Sequence, residues 1–141
     1  MTGNTFRTED ILRAQSFQYY PDEIPTSNER AIGIDPAFGS SNTGIVVTDF
    51  RDGKIAVLYA EEFDHSTSGK MVDLIWDLYH KYYPIKSILV DSSQISFIKS
   101  LKQVFMNELK EEIDYERQTK FFKDNKCDWR LNLRIQPVYY N

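Results

Sequence analysis

Ala31-Ile32-Gly33-Ile34-Asp35-Pro36 is a short apolar run that stops abruptly at an acid. Its composition and length suit a buried strand. Pro36 has no N–H to give to a ladder, so the strand should end there. Further along, Ser87-Ile88-Leu89-Val90-Asp91 repeats the pattern: a β-rich apolar run closed by a carboxylate. An unpaired carboxylate at the end of a buried strand is costly. If the two strands lie parallel and adjacent, Asp35 and Asp91 meet at their carboxyl ends, the edge at which open α/β sheets tend to place ligands.

The sequence around these runs reads as alternating elements. Phe38-Gly39-Ser40-Ser41-Asn42 is a turn. Residues 43–50 are rich in β-branched side chains and read as a strand. Asp52-Gly53 is a hairpin signal, and residues 54–63 alternate as the returning strand. Ser66-Thr67-Ser68 offers N-caps for a helix with Met71, Leu74, Ile75, Leu78 and Tyr82 on one stripe, ending before Pro84. Ser92 or Ser93 can cap a second helix, whose stripe is Ile95, Ile98, Leu101, Val104, Phe105 and Leu109. Residues 111–128 are charged and carry no clear period. Leu131, Leu133 and Ile135 alternate with polar residues, so 130–139 reads as a last strand. Residues 1–29 read as a lead-in segment: Thr8 can cap a short helix, and Tyr20-Pro21 and Ile24-Pro25 then break regular structure. The organisation expected is a lead-in followed by one domain over 30–141.

Composition sets the outer bounds. The 141 residues suffice for one compact domain. Hydrophobic residues at 41% and charged residues at 27% fit a globular chain, and nine Tyr, nine Phe and two Trp supply its core. No apolar run approaches the roughly 18 residues that span a membrane. No secretory h-region opens the chain, and Cys127 is the only cysteine, which excludes an internal disulfide and argues against a cysteine zinc site. A cytoplasmic setting, in a reducing cell interior, is the expectation. The net charge of −4 argues against strong free-standing affinity for nucleic acid. The charge is uneven: residues 1–98 carry 8 basic and 14 acidic side chains, whereas residues 99–141 carry 9 basic and 7 acidic.

The order β-β-β-α-β-α-β, a meander followed by helix–strand alternation, is similar to the ribonuclease-H-like pattern: α/β, with a mixed five-stranded sheet flanked by helices. Within that superfamily the chain resembles the nuclease domain of phage and viral terminase large subunits. Ile32-Gly33-Ile34-Asp35-Pro36-Ala37-Phe38-Gly39, continued through Thr43-Gly44 to Val47, resembles the first nuclease motif. Ile88-Leu89-Val90-Asp91-Ser92-Ser93 resembles the second. Phe6 to Ile11 resembles the segment that joins the packaging ATPase to the nuclease, and Arg134 to Tyr139 resembles the fifth strand.

The resemblance implies a metal-dependent endonuclease that cuts concatemeric double-stranded viral DNA during packaging, with Asp35 and Asp91 as catalytic ligands of Mg²⁺ or Mn²⁺. Hard carboxylate oxygens suit those ions, and a pair of ions about 4 Å apart can activate water and stabilise the leaving oxygen. It also implies packaging-motor partners: an ATPase domain, a portal and a small terminase. Two features depart from the family. There is no glycine-rich Walker A loop with its lysine. The third metal-binding acid, which the family places beyond the fifth strand, has no counterpart before Asn141, so weak or no activity is expected of this chain alone.

Substitute acids are Glu61 or Glu62 at the end of the third strand, of which period-two alternation allows only one on a given face. Asp73 or Asp77 on the first helix, and Asp124 or Asp128, are others. Ser40, Ser41, Asn42 and Thr43 could bond a phosphate beside Asp35, although turns use the same residues for their own geometry. His65 could act as a base, while His80 suits a helix end. Lys99, Lys102, Lys110, Arg117, Lys120 and Lys123 could follow a DNA backbone, although acids interrupt them. Other readings stay open. A non-catalytic module of the same fold would bind DNA or a partner. Ile32 to Thr43 also resembles the first phosphate loop of sugar-kinase, heat-shock-chaperone and actin-type ATPases. A Holliday-junction resolvase begins with the same Gly-Ile-Asp-Pro but needs later acids.

Overall fold

The computed structural model describes residues 29–37, 42–64, 66–119 and 129–139. Strand β1 (Arg30–Asp35) is followed by β2 (Thr43–Arg51) and β3 (Lys54–Phe63). Helix α1 (Ser68–Lys81), strand β4 (Ser87–Asp91) and helix α2 (Ile95–Gln118) follow. A short helical turn, α3 (Trp129–Asn132), leads into β5 (Arg134–Val138). The chain is therefore α/β, with a mixed five-stranded sheet ordered β3-β2-β1-β4-β5, the ribonuclease-H-like arrangement. β1, β2 and β3 pair antiparallel, while β4 lies parallel to β1 and β5 parallel to β4.

Local chemistry accounts for these elements. Asp52 and Gly53 both take positive φ, 52° and 73°, the conformation of a tight hairpin turn whose twist matches its strands. The Thr67 hydroxyl caps α1 by accepting the Lys70 N–H. One face of the sheet carries Ile32, Ile34, Ile45, Val47, Ile88 and Val90, which pack against Met71, Ile75 and Tyr79 of α1 and Leu101, Phe105 and Leu109 of α2. Both helices thus lie on the same side of the sheet. Trp76 and Tyr79 meet Phe105 edge-on and join the two helices.

Three details differ from the sequence reading. Helix α2 runs through Gln118, because Leu109 and Ile113 continue its buried stripe through the charged stretch. Neither Ser92 nor Ser93 caps it; Gln94 stands at the cap with no side-chain bond. The last strand begins at Arg134 rather than residue 130. Arg130 donates twice to Glu116 of α2, at 2.9 and 2.7 Å, and this holds residues 129–132 as a helical turn. The lead-in helix near Thr8 lies outside the described residues. Among the described residues, no helix is long and apolar enough to cross a membrane.

A buried ion pair closes the end of the core far from the carboxyl ends of β1 and β4. Arg30 Nε lies 3.4 Å from Asp49 Oδ2, and Arg30 Nη1 donates to the Tyr82 carbonyl at 3.1 Å. Asp49 is fully buried. Arg30→Ala should therefore cost about 3–5 kcal/mol in urea denaturation, because it strands a buried carboxylate. Arg30→Met with Asp49→Leu should recover most of that loss.

Candidate functional site

The register of the sheet builds the site. Ile34 pairs with Val90 across the parallel ladder, so the next residues, Asp35 and Asp91, end neighbouring strands side by side. Strands lie about 4.8 Å apart, which brings the two carboxylates within reach of a common ion. Both are buried: Asp35 is 3% exposed and Asp91 8%. On the other side of β1, Asp35 pairs with Gly44, and Gly44 pairs with Glu62. Paired residues share a face, so Glu62, Gly44, Asp35, Asp91 and Val138 form one row on the side of the sheet away from α1 and α2. Among the described residues, nothing lies within 4 Å of the position a Cβ on Gly44 would take. Gly44, itself buried, separates buried Asp35 from exposed Glu62 on this row.

The loops behind the row hold its acids in place. Asp91 Oδ1 accepts the Ser93 N–H at 3.1 Å, and the Asp91 carbonyl accepts the Gln94 N–H. The carboxylate thus shapes the turn into α2, which orients it without a serine cap. After Asp35, the chain is fastened by Thr43. Its Oγ1 accepts the Ala37 N–H at 3.1 Å and lies 2.7 Å from Ser66 Oγ. Thr43 is fully buried and Ser66 nearly so. The hydroxyl expected to meet a phosphate is enclosed, joining the β1 turn to the approach to α1. Ser66 enters as a partner to Thr43 rather than as a helix cap.

The remaining candidates are dispersed. Ser40, Ser41 and His65 lie outside the described residues, as do Lys120, Lys123, Asp124 and Asp128. Glu61 pairs with Ile45, on the face that packs against the helices. It accepts the Tyr59 hydroxyl at 2.5 Å, and burial together with this carboxylate pushes that hydroxyl's pKa well up. Of the two neighbouring glutamates, the acid on the Asp35 row is Glu62. Asp73 and Asp77 are exposed on α1, which covers the opposite face of the sheet, and they do not join Asp35. His80 stacks near Trp76 and lies 3.4 Å from Glu112. Lys99, Lys102 and Lys110 are exposed on α2, again across the sheet from the acids. Among the described residues, no three His, Cys, Asp or Glu side chains are grouped closely enough to hold a metal.

Two oxygen-rich side chains at one buried edge suit a divalent cation in kind. In number they stand one short of a three-carboxylate site. The Thr43 lock supplies a test of how the edge is held. Thr43→Val removes a buried hydroxyl with two partners and should cost about 1–3 kcal/mol, whereas Thr43→Ser should stay near wild type in thermal melts. No family model matches the chain, and no curated protein matches it in sequence, so the geometry of this edge is what carries a functional reading.

Proposed function

We propose that the chain is a metal-dependent nuclease domain that hydrolyses phosphodiesters of double-stranded DNA, of the kind with which terminase large subunits cut concatemeric viral DNA. One observation carries this reading. Asp35 and Asp91 end adjacent parallel strands, buried and in register, on the sheet face that no described helix covers. Two carboxyl groups at neighbouring strand ends offer hard oxygen ligands of the kind a divalent cation takes. Asp35 and Asp91 would hold that cation. A bound Mg²⁺ or Mn²⁺ would supply charge neutralisation at the phosphodiester and a more acidic attacking water.

The residues of this chain supply the setting for that chemistry. The Ser93 N–H fixes the Asp91 carboxylate, and the Thr43–Ala37 bond fixes the turn that follows Asp35. Glu62, beyond Gly44 from Asp35, is the next acid on the row. Arg134 lies on the same face, four residues or about 13 Å along β5 from Val138, where a cation could meet a neighbouring phosphate. The packaging motor, with its ATPase, portal and small terminase, is the setting in which such a domain would act.

A second reading is favoured by the short count of ligands: a non-catalytic module of the same fold that binds DNA or a protein partner. Plasmid nicking with Mn²⁺ separates the two. The nuclease reading expects slow nicking by the wild type, a fall of about a hundredfold or more in Asp35→Asn and Asp91→Asn, and about tenfold in Glu62→Gln. Glu61→Gln and Asp73→Asn should stay at the wild-type rate. A wild-type chain that is folded and nicks no faster than Asp35→Asn supports the binding module instead.

A further inference from the structure

A second feature lies on the helix side of the sheet, at its β5 edge. A groove of about 520 Å³ runs between α2 and β5. Its floor is apolar: Phe105, Leu109 and Ile113 from α2, with Leu133 and Ile135 from the β5 side. Met106 and Leu131 stand at its margin, 71% and 68% exposed. Exposed large apolar side chains beside an apolar trough mark a binding surface.

The rim of the groove is cationic. Lys102, Lys110 and Arg117 line it against a single acid, Asp114. Arg130 also lines it, but its guanidinium is held by Glu116 and faces Glu112. The chain as a whole is acidic, at −4, so this cationic border runs against its overall charge. A partner for it would be acidic.

The backbone of β5 decides the shape of that partner. The Arg134 N–H bonds the Lys86 carbonyl, and the Val138 carbonyl accepts the Ser92 N–H, so residues 134, 136 and 138 turn their polar groups towards β4. Alternate residues of a strand turn theirs the other way, which leaves Ile135 and Pro137 on the edge that no described strand pairs. Pro137 has no N–H, so that edge offers one donor, and an added strand would find no continuous ladder. A helix needs none. Lys102 to Arg117 spans about 22 Å, the length of roughly four helical turns.

We propose that the groove between α2 and β5 receives an amphipathic helix of a partner protein, with apolar side chains on the floor and acidic side chains against Lys102 and Lys110. This surface is separate from the Asp35–Asp91 row, which lies on the other face of the sheet.

Fluorescence anisotropy on the full chain tests it with three labelled helical peptides of about 16 residues. One carries leucines at i, i+3, i+4 and i+7 with flanking glutamates; in the second the glutamates are lysines; in the third the leucines are serines. The glutamate–leucine peptide should bind at least about tenfold more tightly than either other peptide. The exposed-site variants Lys102→Glu with Lys110→Glu, and Met106→Asp, should each weaken it about tenfold while circular dichroism shows the fold intact. Asp35→Asn should bind it as the wild type does. The proposal is overturned if no peptide binds, if the lysine peptide binds equally well, if the rim variants bind normally, or if a DNA duplex displaces the glutamate–leucine peptide from the groove.

Discussion

Four register pairs, from Ala31 with Ser87 to Ile34 with Val90, tie β1 to β4 in parallel, and both the core and the acidic edge follow from them. A parallel pair needs a crossover between its strands, and here β2, β3 and α1 form it. Alternation along the paired strands then divides their residues between two faces. Ile32, Ile34, Ile88 and Val90 go to the helix side, and Asp35 and Asp91 go to the other. A slip of one residue in either strand would exchange those sets, setting a carboxylate against Ile75 and Tyr79 and an isoleucine or valine at the edge. The core therefore enforces the site: the burial that holds β1 against β4 also fixes which residues can stand beside Asp35.

Much of this was legible in the sequence because the relevant signals are local. Asp35-Pro36 closes a strand by chemistry alone, Asp52-Gly53 needs only its two residues to turn, and Thr67 caps α1 from the adjoining position. What the sequence left unread depends on contacts between distant segments. The helical turn at 129–132 rests on Arg130 reaching Glu116. The extension of α2 rests on Ile113 finding the core amid charged neighbours.

The choice between Glu61 and Glu62 is the sharpest case. Counting back from the Asp52-Gly53 turn without interruption pairs Gly44 with Glu61. The ladder instead shifts between Val47 and Thr48, where Leu58 is the extra residue, and Glu62 takes that place. A single bulge thus moves one glutamate onto the Asp35 row and turns its neighbour to the helix side, where Tyr59 holds it. No pattern in residues 54–63 announces the bulge. Thr43 illustrates the same limit, since a hydroxyl beside an acidic strand end looks like a ligand group until its partners, Ala37 and Ser66, are known.

The molecule carries an acidic edge on one face of the sheet and an apolar, cation-rimmed groove on the other. The proposed nuclease chemistry requires Asp35 and Asp91 to bind a divalent cation together. Calorimetric titration of Mn²⁺ into the wild-type chain and into Asp35→Asn tests this most directly. The expected result is saturable binding by the wild type that is lost in the variant while the fold is retained. Heats that are equally small for both, or binding that survives unchanged without the Asp35 carboxylate, would contradict it.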